Sequence, residues 1–263
     1  MLNRPRVALV TGATSGIGAA FARALADRGW ELVLVARDGE RLGRMAAELG
    51  SRGRAAEVLR ADLAVRADVA RVAARLEVSA RPVDMLVNNA GFGVRAPMTS
   101  ADSAPHDRAI EVMGRAVLVL AGAAGRAMRG RGHGAVVNVS STAGFVTMGS
   151  YSAVKAFVTS LSEGLANELH GTGVSVTALC PGWVRTEFHT RAGIRSSGVP
   201  GFLWLDARRV VETALRDVRR GRVISVPSFR YRLLLWCTRR LPRRVVRWIS
   251  RRISSGRDDS LTH

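Results

Sequence analysis

Three observations predict an α/β fold for this chain, a doubly wound parallel sheet within a single domain. Short apolar runs alternate with segments of helical periodicity through the first 180 residues. The apolar runs are continuous rather than alternating, as in strands buried on both faces of a parallel sheet. A glycine-rich turn joins the first run to the first helical segment, and sheets of this kind bind ligands beyond the carboxyl ends of their strands.

Each element can be placed in order. Val7 to Val10 reads as a buried strand, followed by a helix from about Gly16 to Arg28. Glu31 to Ala36 is a second strand, with a helix near Glu40 to Leu49. Residues 55–60 form a third strand and Ala67 to Val78 a third helix. Met85 to Asn88 is the fourth strand, and Pro105 to Met128 reads as one long helix. Ala135 to Ser140 and Val174 to Cys180 are strands separated by a helix from Tyr151 to Leu169. A helix over Arg208 to Arg219 and a last strand over Val223 to Val226 complete the pattern. No repeat, low-complexity block or linker interrupts it. The expected organisation is a dinucleotide-binding-type domain over residues 1–227 and a basic amphipathic extension over 228–263.

The 263 residues, 47% hydrophobic, suffice for one sizeable core. The formal charge of +19 by itself points to nucleic acid, an anionic membrane surface or an anionic ligand. It is unevenly spread: residues 206–263 carry 16 Arg against five acids, and residues 1–205 carry 23 Arg and one Lys against 16 acids. No nucleic-acid recognition motif accompanies it, and no nucleic-acid partner is expected. No apolar run reaches the roughly 18 residues of a membrane span; the longest, Ala116 to Gly125, is bracketed by Arg115 and Arg126. Polar and glycine residues from Thr11 to Gly16 break the N-terminal apolar stretch, which argues against a secretion signal. A cytoplasmic location is expected, with peripheral membrane contact as an addition. Cys180 and Cys237 have neither disulfide nor metal-site spacing and read as ordinary buried thiols. His106, His133 and His170 read as isolated and solvated, and no metal site is expected.

Thr11-Gly12-Ala13-Thr14-Ser15-Gly16-Ile17-Gly18 lies between the first strand and the first helix. Glycines permit the tight turn, and the amides and dipole at the helix start favour a pyrophosphate. A glycine triplet alone is equally compatible with a structural turn. This TGxxxGxG spacing resembles the short-chain dehydrogenase/reductase family. Further matches follow in order over residues 5–190: Asp62-Leu63, Asn88-Asn89-Ala90-Gly91, Asn138-Val139-Ser140-Ser141, Tyr151 to Lys155, and Pro181-Gly182 with Thr186. The resemblance implies a Rossmann-type fold and an NAD(P)-dependent oxidoreductase. It places the cofactor on Gly12, Thr14, Ser15, Gly16, Ile17, Gly18, Arg37, Asp62, Leu63, Asn89, Ala90, Gly91, Tyr151, Lys155, Pro181, Gly182, Val184 and Thr186. Arg37 at the end of the second strand suits a 2′-phosphate, so NADP(H) is favoured; the neighbouring Asp38 keeps NAD(H) as the alternative.

Tyr151 and Lys155 stand four residues apart, on one helix face. A phenol with an ordinary pKa near 10 is a poor acid/base at neutral pH. A neighbouring ammonium and the positive nicotinamide ring are expected to lower it. The resemblance makes Tyr151 the group that exchanges a proton with the substrate oxygen. It has Lys155 bind the nicotinamide ribose and Ser141 steady the developing charge. Lys155 is the only lysine among 40 basic residues, which by itself argues that an arginine cannot serve there.

Two departures from the family stand out. Counting back 28 residues from Ser141, where the family has an asparagine, lands on Met113. Methionine keeps the main-chain carbonyl that helps hold a lysine-linked water but loses the side-chain contacts. The ten-residue interval from Ser141 to Tyr151 is also shorter than is common in the family. The leading expectation is an oxidoreductase of hydrophobic ketones or secondary alcohols, with 3-oxoacyl or other lipid-like substrates included. The alternative, motivated by Met113, is a cofactor-binding sensor or scaffold with weak or lost catalysis.

Phe188, Phe202, Leu203, Trp204 and Leu205 make the substrate-covering segment apolar, with His189, Arg191 and Arg195 interspersed. These residues either line a lipophilic pocket or pack the lid. Beyond Pro242, Val245, Val246, Trp248, Ile249 and Ile253 recur at helical spacing among arginines. Such a helix suits an anionic membrane interface or packing on the core or another subunit. The family resemblance implies a homo-oligomer, dimer or tetramer.

Overall fold

The computed structural model describes residues 4–187, 200–240 and 244–245. Seven parallel strands form one sheet in the order β3-β2-β1-β4-β5-β6-β7. They are β1 (Val7–Thr11), β2 (Glu31–Ala36), β3 (Ala56–Arg60), β4 (Met85–Asn88), β5 (Gly134–Val139), β6 (Val174–Leu179) and β7 (Ile224–Ser225). Side-chain alternation along β1 divides the core. Ala8 and Val10 pack with α1 (Gly16–Ala26), α2 (Gly39–Gly50) and α7 (Ala207–Arg219) on one face. Val7 and Leu9 pack with α3 (Arg66–Glu77), α5 (Ala116–Arg131) and α6 (Gly149–Glu168) on the other. A further helix, α4 (Ala104–Ile110), precedes α5, and α8 (Phe229–Arg240) follows β7. Strand order reverses between β1 and β4, so the turns after these two strands meet at the crevice where such sheets bind ligands.

The expected single helix from Pro105 to Met128 is instead α4 and α5 joined through a wider π-helical turn, Glu111–Arg115, centred on buried Met113. Periodicity reports which residues are buried, not how many residues each backbone hydrogen bond spans, so this turn leaves no mark in the pattern. The turn forms without asparagine.

Two expectations about polar residues are corrected. Cys180 is buried, but Cys237 is exposed: among its described side chains α8 commits Tyr231 and Leu235 to the interior, and Cys237 lies off that side. His106 bonds Ser150 Oγ at 2.8 Å and the Pro97 carbonyl at 3.1 Å, so it is held rather than simply solvated. His133 likewise bonds the Arg131 carbonyl at 3.0 Å, whereas His170 is exposed. Phe188, His189, Arg191 and Arg195 lie outside the described residues, as do Val246, Trp248, Ile249 and Ile253 of the C-terminal stripe.

Candidate active site

The glycine turn is built by close approach. Gly12 and Gly16 have φ of 63° and 54°, the left-handed region that disfavours side chains. A Cβ on Gly18 would fall 2.2 Å from the Gly12 carbonyl oxygen, so α1 can begin this tightly only with glycine there. Asn89 Nδ2 donates to the carbonyls of Thr11 and Gly12 at 3.0 and 3.3 Å. The Thr11 hydroxyl in turn accepts from the amides of Asn89 and Ala90 at 2.9 and 3.0 Å. The two turns at the sheet reversal are thus one unit. Ser15 stands at the N-cap of α1, Thr14 and partly buried Ile17 flank it, and no acidic side chain enters the first turn. The positive end of the helix is left to an anion.

At the ends of β2 and β3, Arg37, Arg60, Asp62, Asp68 and Arg71 line a cavity of about 380 Å³. Arg37 makes no side-chain hydrogen bond among the described residues, and its carbonyl accepts from Arg60 Nε at 3.1 Å. Asp38, the feature opposing a 2′-phosphate, is occupied: its side chain caps α2 by accepting from the Arg41 amide at 3.0 Å. Asp62 is gripped by Arg108 at 2.9 and 3.2 Å and accepts from the Ala64 amide at 3.0 Å. Burial raises its pKa, but the Ala64 amide, Arg108 and Arg37 together outweigh this and hold the carboxyl below its ordinary range.

At the ends of β5 and β6, Ser141 starts the 3₁₀ turn Thr142–Phe145. Its Oγ accepts from the Ala143 amide at 3.1 Å and reaches the Pro181 carbonyl at 3.5 Å. Ser141 lies near enough to the Tyr151 phenol for its hydroxyl to favour the phenolate. The short interval between them closes because Gly144 lies directly on α6, where a Cβ would meet the Lys155 and Ala156 backbone at about 2.9 Å. Lys155 is buried, and its Nζ donates to the Val139 carbonyl at 2.8 Å while lying 5.7 Å from the Tyr151 ring centroid. Ser140 and Thr159 hydroxyls bond the Lys155 carbonyl at 2.7 and 3.1 Å. Deeper in, Asn88 bonds Asn138, which bonds Ser162, tying β4, β5 and α6 together at 2.9 and 3.0 Å.

The expected lowering of the phenol is not what this geometry produces. Burial pushes Tyr151 up to about 12, and the Ser141 hydroxyl only partly opposes it. Burial also pulls Lys155 down to about 8, with Cys180 opposing. An ammonium weakened in this way and turned toward the Val139 carbonyl does little for the phenolate. Burial likewise raises the Cys180 thiol to about 11, so it is inert.

The structure gathers Gly12, Gly16, Gly18, Arg37, Asp62, Asn89, Ala90, Ser141, Tyr151, Lys155, Pro181 and Gly182 along the carboxyl edge of the sheet. A Cβ on Gly16 would touch Thr186 at 3.3 Å, and one on Gly91 would lie 3.0 Å from Met113 Sδ. Leu63 and Val184 are buried in the body, so their side chains support the edge from beneath. Sequence reasoning missed Thr11 as the tie between the turns, although it opens the glycine motif. It also missed Arg60 and Arg71, although Arg60 ends the same strand that leads to Asp62.

The short chain dehydrogenase family model matches residues 6–195. An NADP-dependent 3-hydroxy acid dehydrogenase of Salmonella typhi is 35% identical over 189 residues, covering 69% of this chain and 74% of that protein. A short-chain dehydrogenase from Sphingobium yanoikuyae, solved with NADPH, superposes with a TM-score of 0.80 at 35% identity over 98% of both chains. The bulky-bulky ketone specific alcohol dehydrogenase from Comamonas testosteroni superposes with a TM-score of 0.76 at 30% identity, covering 99% of this chain and 97% of that one.

Proposed function

Because this chain belongs to the short-chain dehydrogenase family, and is an oxidoreductase with it, we propose that it interconverts a hydrophobic ketone and its secondary alcohol with NADP(H). The observation that carries the catalytic reading is the convergence of Ser141, Tyr151 and buried Lys155, whose Nζ lies 5.7 Å from the Tyr151 ring centroid, at the carboxyl edge of the sheet. The residues present fit a phosphorylated dinucleotide. Gly12 and Gly16 hold the left-handed backbone of a turn that opens onto a helix N-terminus with no acidic side chain in its first turn, and three arginines line the cavity at the ends of β2 and β3. When bound, the nicotinamide supplies or takes up the hydride. Tyr151 donates its phenolic proton to the carbonyl oxygen in reduction and accepts it back in oxidation. Ser141 holds that oxygen by hydrogen bonding. Lys155, held by the Val139 carbonyl on the tyrosine side of α6, would bind the sugar of the cofactor when it is present.

An apolar substrate is supported by the wall beyond Gly182. Trp183 and Trp204 pack edge to face with centroids 5.6 Å apart, and Phe202, Leu203 and Leu205 adjoin them. The ketone-specific relative from Comamonas acts on bulky ketones by its description, which agrees with this wall. Steady-state oxidation of NADPH against a panel of ketones graded from small and polar to bulky and apolar tests the proposal. The expected outcome is turnover rising along the panel; no turnover on any member would leave the cofactor-binding sensor as the better reading.

Arg60→Ala is expected to raise KM for NADPH about tenfold and leave KM for NADH unchanged, as loss of one charge-assisted contact to a 2′-phosphate requires. Equal effects on both cofactors would remove Arg60 from that role. A second expected result concerns Met113, whose Sδ accepts from the Phe92 amide at 3.5 Å within the π-helical turn. Met113→Asn should raise kcat by supplying a polar side chain there, with Tm falling a few degrees because a buried side chain is shortened. A kcat at or below that of the parent would show that methionine does not limit the reaction.

Among the described residues no helix is long and apolar enough to cross a membrane. Assembly with further copies is supported by Ile110, Leu118 and Phe157, exposed large apolar residues on α4, α5 and α6.

A further inference from the structure

Helix α8 is apolar on two opposite sides. Tyr231 and Leu235 face inward: the Tyr231 ring closes over Gly182, leaving no room there for a Cβ. The Tyr231 hydroxyl accepts from the Trp183 amide at 3.1 Å and donates to the Leu203 carbonyl at 2.9 Å. The helix also packs against the 3₁₀ turn that follows Ser141, so it is fastened beside the mouth of the site. At roughly 3.6 residues per turn, Phe229, Leu233 and Trp236 fall on the side opposite Tyr231 and Leu235. All three are more than half exposed, Phe229 by 70%. Phe202, 60% exposed, joins this face through Arg230, which bonds its carbonyl at 2.5 Å and lies 5.7 Å from its ring centroid.

Cations surround these apolar groups. Arg240 lies 4.1 Å from the Trp236 ring centroid and Arg232 lies 6.0 Å from that of Phe229. From Val218 to Arg257 the chain has 13 arginines and no acidic residue. A second copy meeting this face across a two-fold axis would bring arginine against arginine with no carboxylate of this stretch to pair them. A bilayer rich in anionic headgroups has the complementary charge, and its interface takes up exposed Phe, Leu and Trp.

We propose that the outward face of α8, together with Phe202, docks on an anionic lipid surface and holds the mouth beside Gly182 and Ser141 against it. Apolar substrate then reaches Tyr151 from the lipid side, a consequence that rests on the function proposed above, whereas the docking itself does not.

The full chain is sedimented with vesicles of phosphatidylcholine alone or with roughly 30% phosphatidylglycerol, at about 0.05 M and about 0.5 M salt. Expected is binding to the anionic vesicles at least about tenfold tighter than to the neutral ones, weakened at high salt. The double variant Phe229→Glu/Trp236→Glu should lose about tenfold or more of that binding, and Val58→Glu/Val78→Glu, the same two-charge change at exposed apolar positions on β3 and at the end of α3, should lose little. Circular dichroism and turnover of a small water-soluble ketone, both unchanged in the double variant, show that the fold and site are intact. Equal binding to both vesicles, no binding by the parent chain, or unchanged binding by the double variant would overturn the proposal. So would a parent dimer that the double variant splits into monomers by sedimentation velocity, which would assign the face to a second copy. Lipid binding without turnover on any ketone would instead retain the docking face and reject the proposed reaction.

Discussion

Lys155→Met is expected to abolish turnover and yet raise the melting temperature at neutral pH. The ammonium is buried, and its pKa falls from the ordinary 10.5 to about 8. That depression corresponds to about 3 kcal/mol of electrostatic destabilisation near pH 7, where the folded chain must hold a charge that burial opposes. Methionine is similar in length and carries no charge. Its use leaves the Val139 carbonyl without the 2.8 Å lysine donor, which costs about 1–2 kcal/mol. The balance favours the variant by about 1–2 kcal/mol, or a few degrees in Tm. The sign with pH follows from linkage. Between about 8 and 10.5 the folded protein binds fewer protons at this site than the unfolded chain, so parental stability rises with pH through that window. The advantage of the variant therefore holds below pH 8, shrinks across the window and is lost above it. Thermal melts of both proteins from pH 7 to 10.5 check this; a variant less stable at pH 7 would falsify the buried-charge argument. Lys155→Arg is expected to lose activity as well, since a planar guanidinium cannot replace a compact ammonium in this pocket.

Tyr151→Phe should lower kcat about 10³-fold to 10⁴-fold while KM for NADPH changes little, because only the proton donor is removed. The phenol sits at about 12 because burial disfavours its anion more than the Ser141 hydroxyl favours it. It is therefore protonated throughout the neutral range, the form needed to donate to a ketone. Ketone reduction should hold its rate from pH 6 to pH 8, whereas alcohol oxidation, which needs the phenolate, should climb with pH toward the phenol's pKa. Parallel pH–rate profiles in the two directions test this. Residual turnover near the parental rate in the variant, or oxidation that falls as pH rises, would reject Tyr151 as the acid/base.

The sheet and its flanking helices were legible because burial on both faces imposes continuous apolar runs and helical burial imposes its own period. β2 appears at Glu31–Ala36 as read, and α3 and α7 lie within a residue of their expected ends. The placement of the motif residues at strand ends was legible because the strands before them are set by continuous apolar runs. The π-helical turn around Met113 was not, because Ile110 to Arg115 has the burial of an ordinary helix and differs only in its backbone bonding. Arg60 and Arg71 were hidden among 39 arginines, since composition cannot say which of them converge on one cavity. The two-sided character of α8 was hidden for a related reason: Leu233 to Trp236 are four consecutive apolar residues, and only packing decides that Tyr231 and Leu235 turn inward while Leu233 and Trp236 stay exposed.

From its sequence alone this protein is a doubly wound α/β oxidoreductase with a Ser-Tyr-Lys set and a glycine-rich turn between its first strand and first helix, because local residue type and spacing suffice to specify them. Only the tertiary structure decides the protonation energetics and the surroundings of that set. Burial, not the neighbouring charge, dominates Tyr151 and Lys155, and burial depends on what the rest of the chain packs over them. The tertiary structure likewise decides which side of α8 meets the body and which meets the outside, because Gly182 and Tyr231 are 49 residues apart in the chain and are brought together only by folding.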